Sequence, residues 1–449
     1  MSQSPGLFDS LLPTIVTRAP VPADIESVLT IRPGVEVSPR EVGVDAVALR
    51  AAWAAIERVY RSGIHPAIQV CVRCRGEVLL DRALGYASGG GPGDDPGEPH
   101  VPCTPDTPFN LFSASKAVTA MVIHLLDQRH LIHLDDPVCE YIPEFGVHGK
   151  QWITIRHLLT HRAGIPNLSA DALDLDLLAE PDRIVEILCD THLVWRPGRQ
   201  LAYHAISGGF VLGEIVRRVT GLDIRAFHAR EIVGPLGFRW MNYGVAPEDF
   251  GLLARNYFTG PPVLPPASML LRRALGVDFY HVAEMSNDPR FLTAVMPAAN
   301  MFATAEELSR FYQMLLEGGA LDGVRIFDPR TIRRATSEQS YFELDLTLGV
   351  PLRYGMGFML GGRWLSLYGQ DTSYAFGHLG LSNIVSWADP ERQLAAAVTT
   401  SGKPFLYPEI VFLLDAIRRI TLACPKVAPS DRVFDLRPPI VERRSSVPL

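Results

Sequence analysis

The 449-residue sequence predicts an α+β fold, with one antiparallel sheet flanked by helices and a helical subdomain inserted between two halves of the sheet. Strand-like runs occur near both ends of the chain, at 65–84 and 354–399. The stretch between them, from about 114 to 245, carries apolar residues at helical spacing. Strand runs on both sides of a helical block point to a single sheet built from N- and C-terminal parts.

The elements follow in order. Residues 1–44 are rich in Pro, Ser and Val without periodicity and read as an extended arm. Helical spacing begins at Val44 and continues through Leu49, Trp53, Ile56 and Tyr60. Strands are expected at 65–73 and 77–84, joined by a hairpin at Arg75-Gly76, and a Gly- and Pro-rich surface loop follows at 88–99. In the helical block, Val118, Met121, Val122, Leu125 and Leu126 form one apolar stripe. Ile155, Leu158 and Leu159 begin a second, which stops at Ala163-Gly164-Ile165-Pro166. Phe210, Leu212, Ile215, Val216 and Val219 form a third, ending at Gly221. The Pro-rich stretch 246–290 is too long for an ordinary connection and reads as a lid-like functional loop. Its Phe250, Leu253, Tyr257, Phe258, Leu264, Met269 and Leu270 are either an apolar acyl pocket or ordinary core. A helix at 304–317, strands at 354–360, 364–368, 383–387 and 394–399, a helix at 409–422 and a Pro- and Arg-rich tail at 425–449 complete the chain. The expected division is an arm (1–44), a discontinuous α/β part (45–113 and 295–424), a helical part (114–294) and the tail.

Composition excludes several classes. Hydrophobic residues at 47 % and charged residues at 20 % describe a packed globular chain rather than a disordered one. With 42 basic and 49 acidic residues the net charge is −7, so no basic field recruits nucleic acid. The six cysteines are scattered; the one close pair, Cys71 and Cys74, sits in a strand where positions i and i+3 face opposite sides. Buried free thiols are expected, with no metal and no cofactor. The N-terminal residues lack the pattern of a signal peptide and no apolar run is long enough to span a membrane, so a cytoplasmic protein is expected.

Chemistry narrows further. Gly-x-Ser-x-Gly, His-Glu-x-x-His and a P-loop are all absent. What stands out is Phe109-Asn110-Leu111-Phe112-Ser113-Ala114-Ser115-Lys116. Ser113 lies where a helix starts, so backbone N–H groups favour negative charge developing beside it. Lys116, three residues on, shares its face, and an amine buried at a helix N-terminus is disfavoured as ammonium and becomes a base. Alone, a capping Ser with a Lys three residues later is commonplace. Two later segments add weight: Tyr203, between the Pro197-Gly198 turn and a helix, and Phe376-Gly377-His378-Leu379-Gly380-Leu381, where glycines permit close backbone approach to a ligand.

In this order the segments resemble the serine β-lactamase and penicillin-binding-protein superfamily, and most closely its β-lactamase-like (family VIII type) esterases. The resemblance spans about residues 45–422 and extends to Leu134-Asp135-Asp136-Pro137-Val138, to Thr154 through His161 and to Trp387-Ala388-Asp389-Pro390-Glu391. It implies a β-lactamase/transpeptidase-like fold, with Ser113 as acylated nucleophile and Lys116 sharing its proton. Tyr203 would be the tyrosine of Tyr-x-Asn, a base toward Ser113 and an acid toward the leaving group. His378-Leu379-Gly380 would occupy the Lys-Thr-Gly position, with the N–H groups of Ser113 and Leu381 forming the oxyanion hole.

Two departures bear on substrate. Ala205 replaces the Asn of Tyr-x-Asn, removing an amide that would hold an acylamino chain and orient the lysine. His378 replaces the Lys of Lys-Thr-Gly, leaving an imidazole whose charge depends on pH. Both favour neutral esters over β-lactams or peptides. The expectation is a carboxylesterase acting on a small-molecule ester. The alternatives are an acyltransferase of natural-product biosynthesis, an amidase or weak β-lactamase, and a silent binding protein. His204, beside Tyr203, reads as structural or as a local influence on the site's protons.

Overall fold

The computed structural model describes residues 16–166, 174–275, 278–381 and 383–436. Its strands are β1 (Leu29–Ile31), β2 (Ala67–Cys74), β3 (Glu77–Ser88), β4 (Ser340–Leu344), β5 (Pro351–Tyr354), β6 (Met359–Leu360), β7 (Phe376–Gly380), β8 (Ile384–Asp389) and β9 (Leu394–Thr400). They form one antiparallel sheet in the order β1-β3-β2-β9-β8-β7-β6-β5-β4, to which Val101–Pro102 adds a short pairing on β3. The N- and C-terminal parts of the sheet meet where β2 pairs with β9, Val72 opposite Ala396.

Two layers of helix cover the sheet. On one face lie α1 (Ala46–Arg61), which begins at Asp45 where the carboxylate accepts the Val47 N–H, and α6 (Ile410–Ala423). Trp53, Ile56, Tyr60, Leu413, Ile417 and Ile420 pack there against Ile68, Val70, Val72, Trp387 and Val398. On the other face α2 (Ser115–Gln128) and α5 (Ala305–Leu316) bury Cys71, Phe376, Ile384, Ala395 and Ala397. Central strands are therefore apolar on both sides, which is why β2 and β9 read as unbroken runs. Cys71 and Cys74 do fall on opposite faces, and the six cysteines are free, all buried except the partly exposed Cys139.

The insertion carries α3 (Ile155–Leu159), capped by Thr154 and His157, and α4 (Ser207–Thr220), which ends at Gly221 in the left-handed conformation. A small sheet ties the insertion down, with Asn242–Tyr243 and Phe109–Asn110 both pairing with Met301–Ala303.

Several expectations are corrected. The stretch 16–44 is not a bare arm, because β1 extends the sheet edge against β3. The α2 stripe is an understatement: every residue of that helix except Lys116 and Gln128 is buried, as in a helix at the centre of a core. Residues 364–368 are no strand; Gly361 donates to the Ala375 carbonyl, closing an excursion between β6 and β7 that leaves Trp364 80 % exposed. The strand expected at 354–360 is two: Tyr354 ends β5 and pairs antiparallel with Met359 of β6 across a turn, and β4 and the rest of β5 have no counterpart among the predicted strands. In 246–290, Phe250 and Leu253 pack with Trp240, Leu292 and Phe302, and Tyr257 is buried and donates to Asp94, so these residues are core. Leu264 and Met269 are exposed, and the Leu270 side chain lies outside the described residues, as do 1–15 of the arm and 437–449 of the tail.

Candidate active site

Ser113 does not begin the helix. It sits in a single 3-10 turn, Phe112–Ala114, immediately before α2. Asn110 shapes the approach by accepting the Phe112 N–H at 3.1 Å, and Phe112 adopts φ +46°, a left-handed conformation costly for a bulky side chain. Ser115 then ties the turn down, donating to the Phe112 carbonyl at 2.5 Å and accepting the Met301 N–H at 3.1 Å. The turn lies against β7. A Cβ on Gly380 would stand 2.1 Å from the Leu111 carbonyl oxygen, so only glycine admits this approach.

Lys116, on the first turn of α2, has Nζ 3.1 Å from Ser113 Oγ, 2.8 Å from the Ala205 carbonyl and 2.9 Å from the Ala298 carbonyl. Part of the residue remains accessible, yet Nζ has every hydrogen directed at a protein oxygen and no carboxylate paired with it. Burial alone brings this amine down to about 7. In its neutral form two hydrogens stay on the carbonyls, and the lone pair points along the remaining direction, to Ser113. The orienting amide that Ala205 lacks is thus replaced by the same residue's backbone.

Tyr203 is buried, and Lys116 Nζ stands 4.8 Å from its ring centre. Burial pushes the phenol well above its ordinary range, which the neighbouring Ser113 hydroxyl only partly offsets. Burial thus favours the protonated phenol at Tyr203 and the neutral amine at Lys116. Asp345, buried at the β4 end of the hairpin, accepts the Tyr203 N–H at 3.0 Å together with those of Thr347 and Leu348. The sequence carried no signal for Asp345 or for the Ala298 carbonyl, since both arrive from distant segments. His161, quoted above only as part of a flanking motif, lies with its ring centre 4.6 Å from that of Tyr203, tilted by 49°, and accepts the His204 N–H on Nδ1.

His378 lies on β7 with its ring 6.4 Å from that of Tyr203. Its Nδ1 is 2.7 Å from the Leu379 carbonyl and so carries the hydrogen, leaving Nε2 as an acceptor. Burial, aided by the charge of Lys116, lowers it to about 3. The expected dependence of its charge on pH therefore disappears: His378 is neutral at any physiological pH. His204 is likewise buried and lowered to about 3. Leu381 follows Gly380 at the end of β7, with φ +27°, beside the Ser113 turn. The sequence-selected residues thus converge on one place. Among the described residues no group of His, Cys, Asp or Glu is arranged to hold a metal, and no helix is long and apolar enough to cross a membrane.

A model of the Beta-lactamase family matches residues 54–410. The chain belongs to the beta-lactamase family. Esterase/beta-lactamase LipL of Mycobacterium tuberculosis is 32 % identical over 315 residues, covering 66 % of this chain and 70 % of that protein. A penicillin-binding-protein homologue from Caulobacter crescentus superposes with a TM-score of 0.72 at 25 % identity, covering 85 % of this chain and 99 % of its own. A family VIII carboxylesterase gives 0.71 at 25 % identity, covering 84 % and 99 %. The beta-lactamase family assignment accounts for the sheet, the inserted helices and their order.

Proposed function

We propose that this member of the family is a carboxylesterase that works through an acyl-enzyme on Ser113. The observation that carries the reading is Lys116 Nζ at 3.1 Å from Ser113 Oγ, with its other hydrogens fixed on two carbonyls. Ser113 Oγ attacks the ester carbonyl carbon while the Lys116 amine takes its proton. The new oxyanion is held by the N–H groups of Ser113 and Leu381. As the C–O bond breaks, the Tyr203 phenol gives its proton to the departing alkoxide and is reprotonated from Lys116. Water then attacks the acyl carbon by the same route in reverse, releasing the acid.

Neutral esters suit the site because His378 supplies no cation for a substrate carboxylate and Ala205 supplies no side-chain amide. The name of LipL pairs esterase with beta-lactamase, so both substrates belong in the test. A fluorophosphonate probe should add its mass to Ser113 in the folded protein, and p-nitrophenyl butyrate should be turned over with higher kcat/KM than nitrocefin. An unlabelled Ser113 would remove the acyl-enzyme, and a preference for nitrocefin would reverse the substrate argument. Added alcohol that diverts product from acid to a new ester would show acyl transfer through the same intermediate.

A further inference from the structure

Among the buried ionisable groups to which the mechanism gives no task, Lys403 lies beside the Ser113 turn. Lys403 follows β9, is 1 % exposed, and forms no ion pair with a carboxylate among the described residues. A buried charge without a counter-ion costs stability, so its presence calls for a reason. Its Nζ donates to the Thr400 carbonyl at 2.6 Å and stands 4.9 Å from the centre of the Phe112 ring. Its backbone is anchored too, the N–H donating to the Tyr257 carbonyl at 2.8 Å.

Phe112 is the residue immediately before the nucleophile, and it holds a left-handed φ that a bulky side chain does not adopt unaided. Its hydrogen bonds to Asn110 and Ser115 fix its backbone, and the Lys403 contact fixes its ring. We propose that Lys403 is a positioning residue for the nucleophile: its ammonium, tethered to Thr400, pins the Phe112 ring and so keeps the strained turn that presents Ser113. A cation over an aromatic face in a desolvated setting is among the stronger contacts of its kind. This inference rests on the acyl-enzyme reading above.

The titratable groups around Lys403 leave its charge uncompensated. His65, beside Gly402, is lowered to about 3, by burial first and then by Lys403 itself. Burial also raises the Tyr257 and Tyr407 phenols, so both stay neutral. Burial brings Lys403 down to about 7, so its cation is present below that pH and fades above it.

The test uses the full-length chain, the rate of fluorophosphonate labelling at Ser113 as a function of pH, and the thermal midpoint. Lys403→Met keeps the stem and removes the charge. Labelling below about pH 7 should slow by about tenfold to thirtyfold, the scale of a desolvated cation–π contact. The difference should shrink as pH rises and the wild-type cation discharges. The thermal midpoint should not fall, because an unpaired buried charge has been removed. Phe112→Leu should slow labelling similarly, and the double variant should be no slower than the worse single one. Equal rates for wild type and Lys403→Met at every pH would overturn the proposal, as would a pH-independent slowing accompanied by a lower midpoint, which marks a merely structural lysine. If the wild-type Ser113 takes no label at all, it is the acyl-enzyme reading that fails.

Discussion

The carbonyl oxygen of Ala205 accepts a hydrogen bond from Lys116 Nζ at 2.8 Å. An alanine in place of an amide looked like the loss of an orienting group, yet the backbone of that residue does the orienting. Side-chain substitution at this position therefore changes what the site can offer a substrate without releasing the lysine.

Activity should follow the protonation of Lys116. Its amine is lowered from 10.5 to about 7 by burial, so it is ammonium and inactive as a base below that pH and neutral above it. The acid limb of kcat/KM should therefore rise through about pH 7 and should persist in Lys403→Met, which lacks the second buried lysine. Lys116→Ala should lower acylation of Ser113 by about 10²–10⁴-fold. An acid limb that survives in Lys116→Ala would assign it to another group.

Tyr203→Phe removes a protonated phenol, not a phenolate. Turnover of an ester with a poor leaving group should fall by about 10²–10⁴-fold, and that of an activated p-nitrophenyl ester by less, because the activated alcohol needs little help from an acid. Equal losses on both substrates, read by steady-state kinetics, would argue against the acid role.

Gly380→Ala tests the approach of β7 to the Ser113 turn. The added Cβ meets the Leu111 carbonyl oxygen at 2.1 Å, a contact neither backbone can accept unchanged. Displacing Leu381 relative to Ser113 should cost about 10²–10³ in kcat, the scale of a lost oxyanion donor. A variant with wild-type kcat would mean that the N–H of Leu381 has no part in the oxyanion hole.

Asp345 supports Tyr203 from behind. Asp345→Ala leaves the buried N–H of Tyr203 without its acceptor, at about 1–3 kcal/mol, while the N–H groups of half-buried Thr347 and exposed Leu348 can turn to water. Thermal unfolding should show a lower midpoint, with Asp345→Asn intermediate because its amide oxygen still accepts. An unchanged midpoint for Asp345→Ala would contradict this account.

Much of the fold was legible in the residues themselves. Helical spacing located α1, α4, α5 and α6, and apolar runs located β2, β3, β8 and β9, because those signals are local and come from burial on known faces. The edge strand β1 and the hairpin β4–β5 were not legible. Their residues are partly exposed and carry little periodicity, and their place is set by the neighbours they pair with. The strand expected at 364–368 failed for the converse reason, since its residues are largely apolar but the chain leaves the sheet at Gly361 and Gly362.

Ser113, Lys116, Tyr203 and the His378-Leu379-Gly380 segment were selected as candidates from type, spacing and order, and the fold brings them together. The protonation that burial favours at Lys116 and at Tyr203 was not legible in the sequence. Desolvation lowers an amine and raises a phenol, and the degree of burial depends on segments far away in sequence. The same holds for Ala298 and Asp345, which reach the site from separate elements, and for Lys403, whose meaning depends on the Phe112 ring that it meets. Local pattern determined which groups are present; tertiary packing determined their charge and their aim.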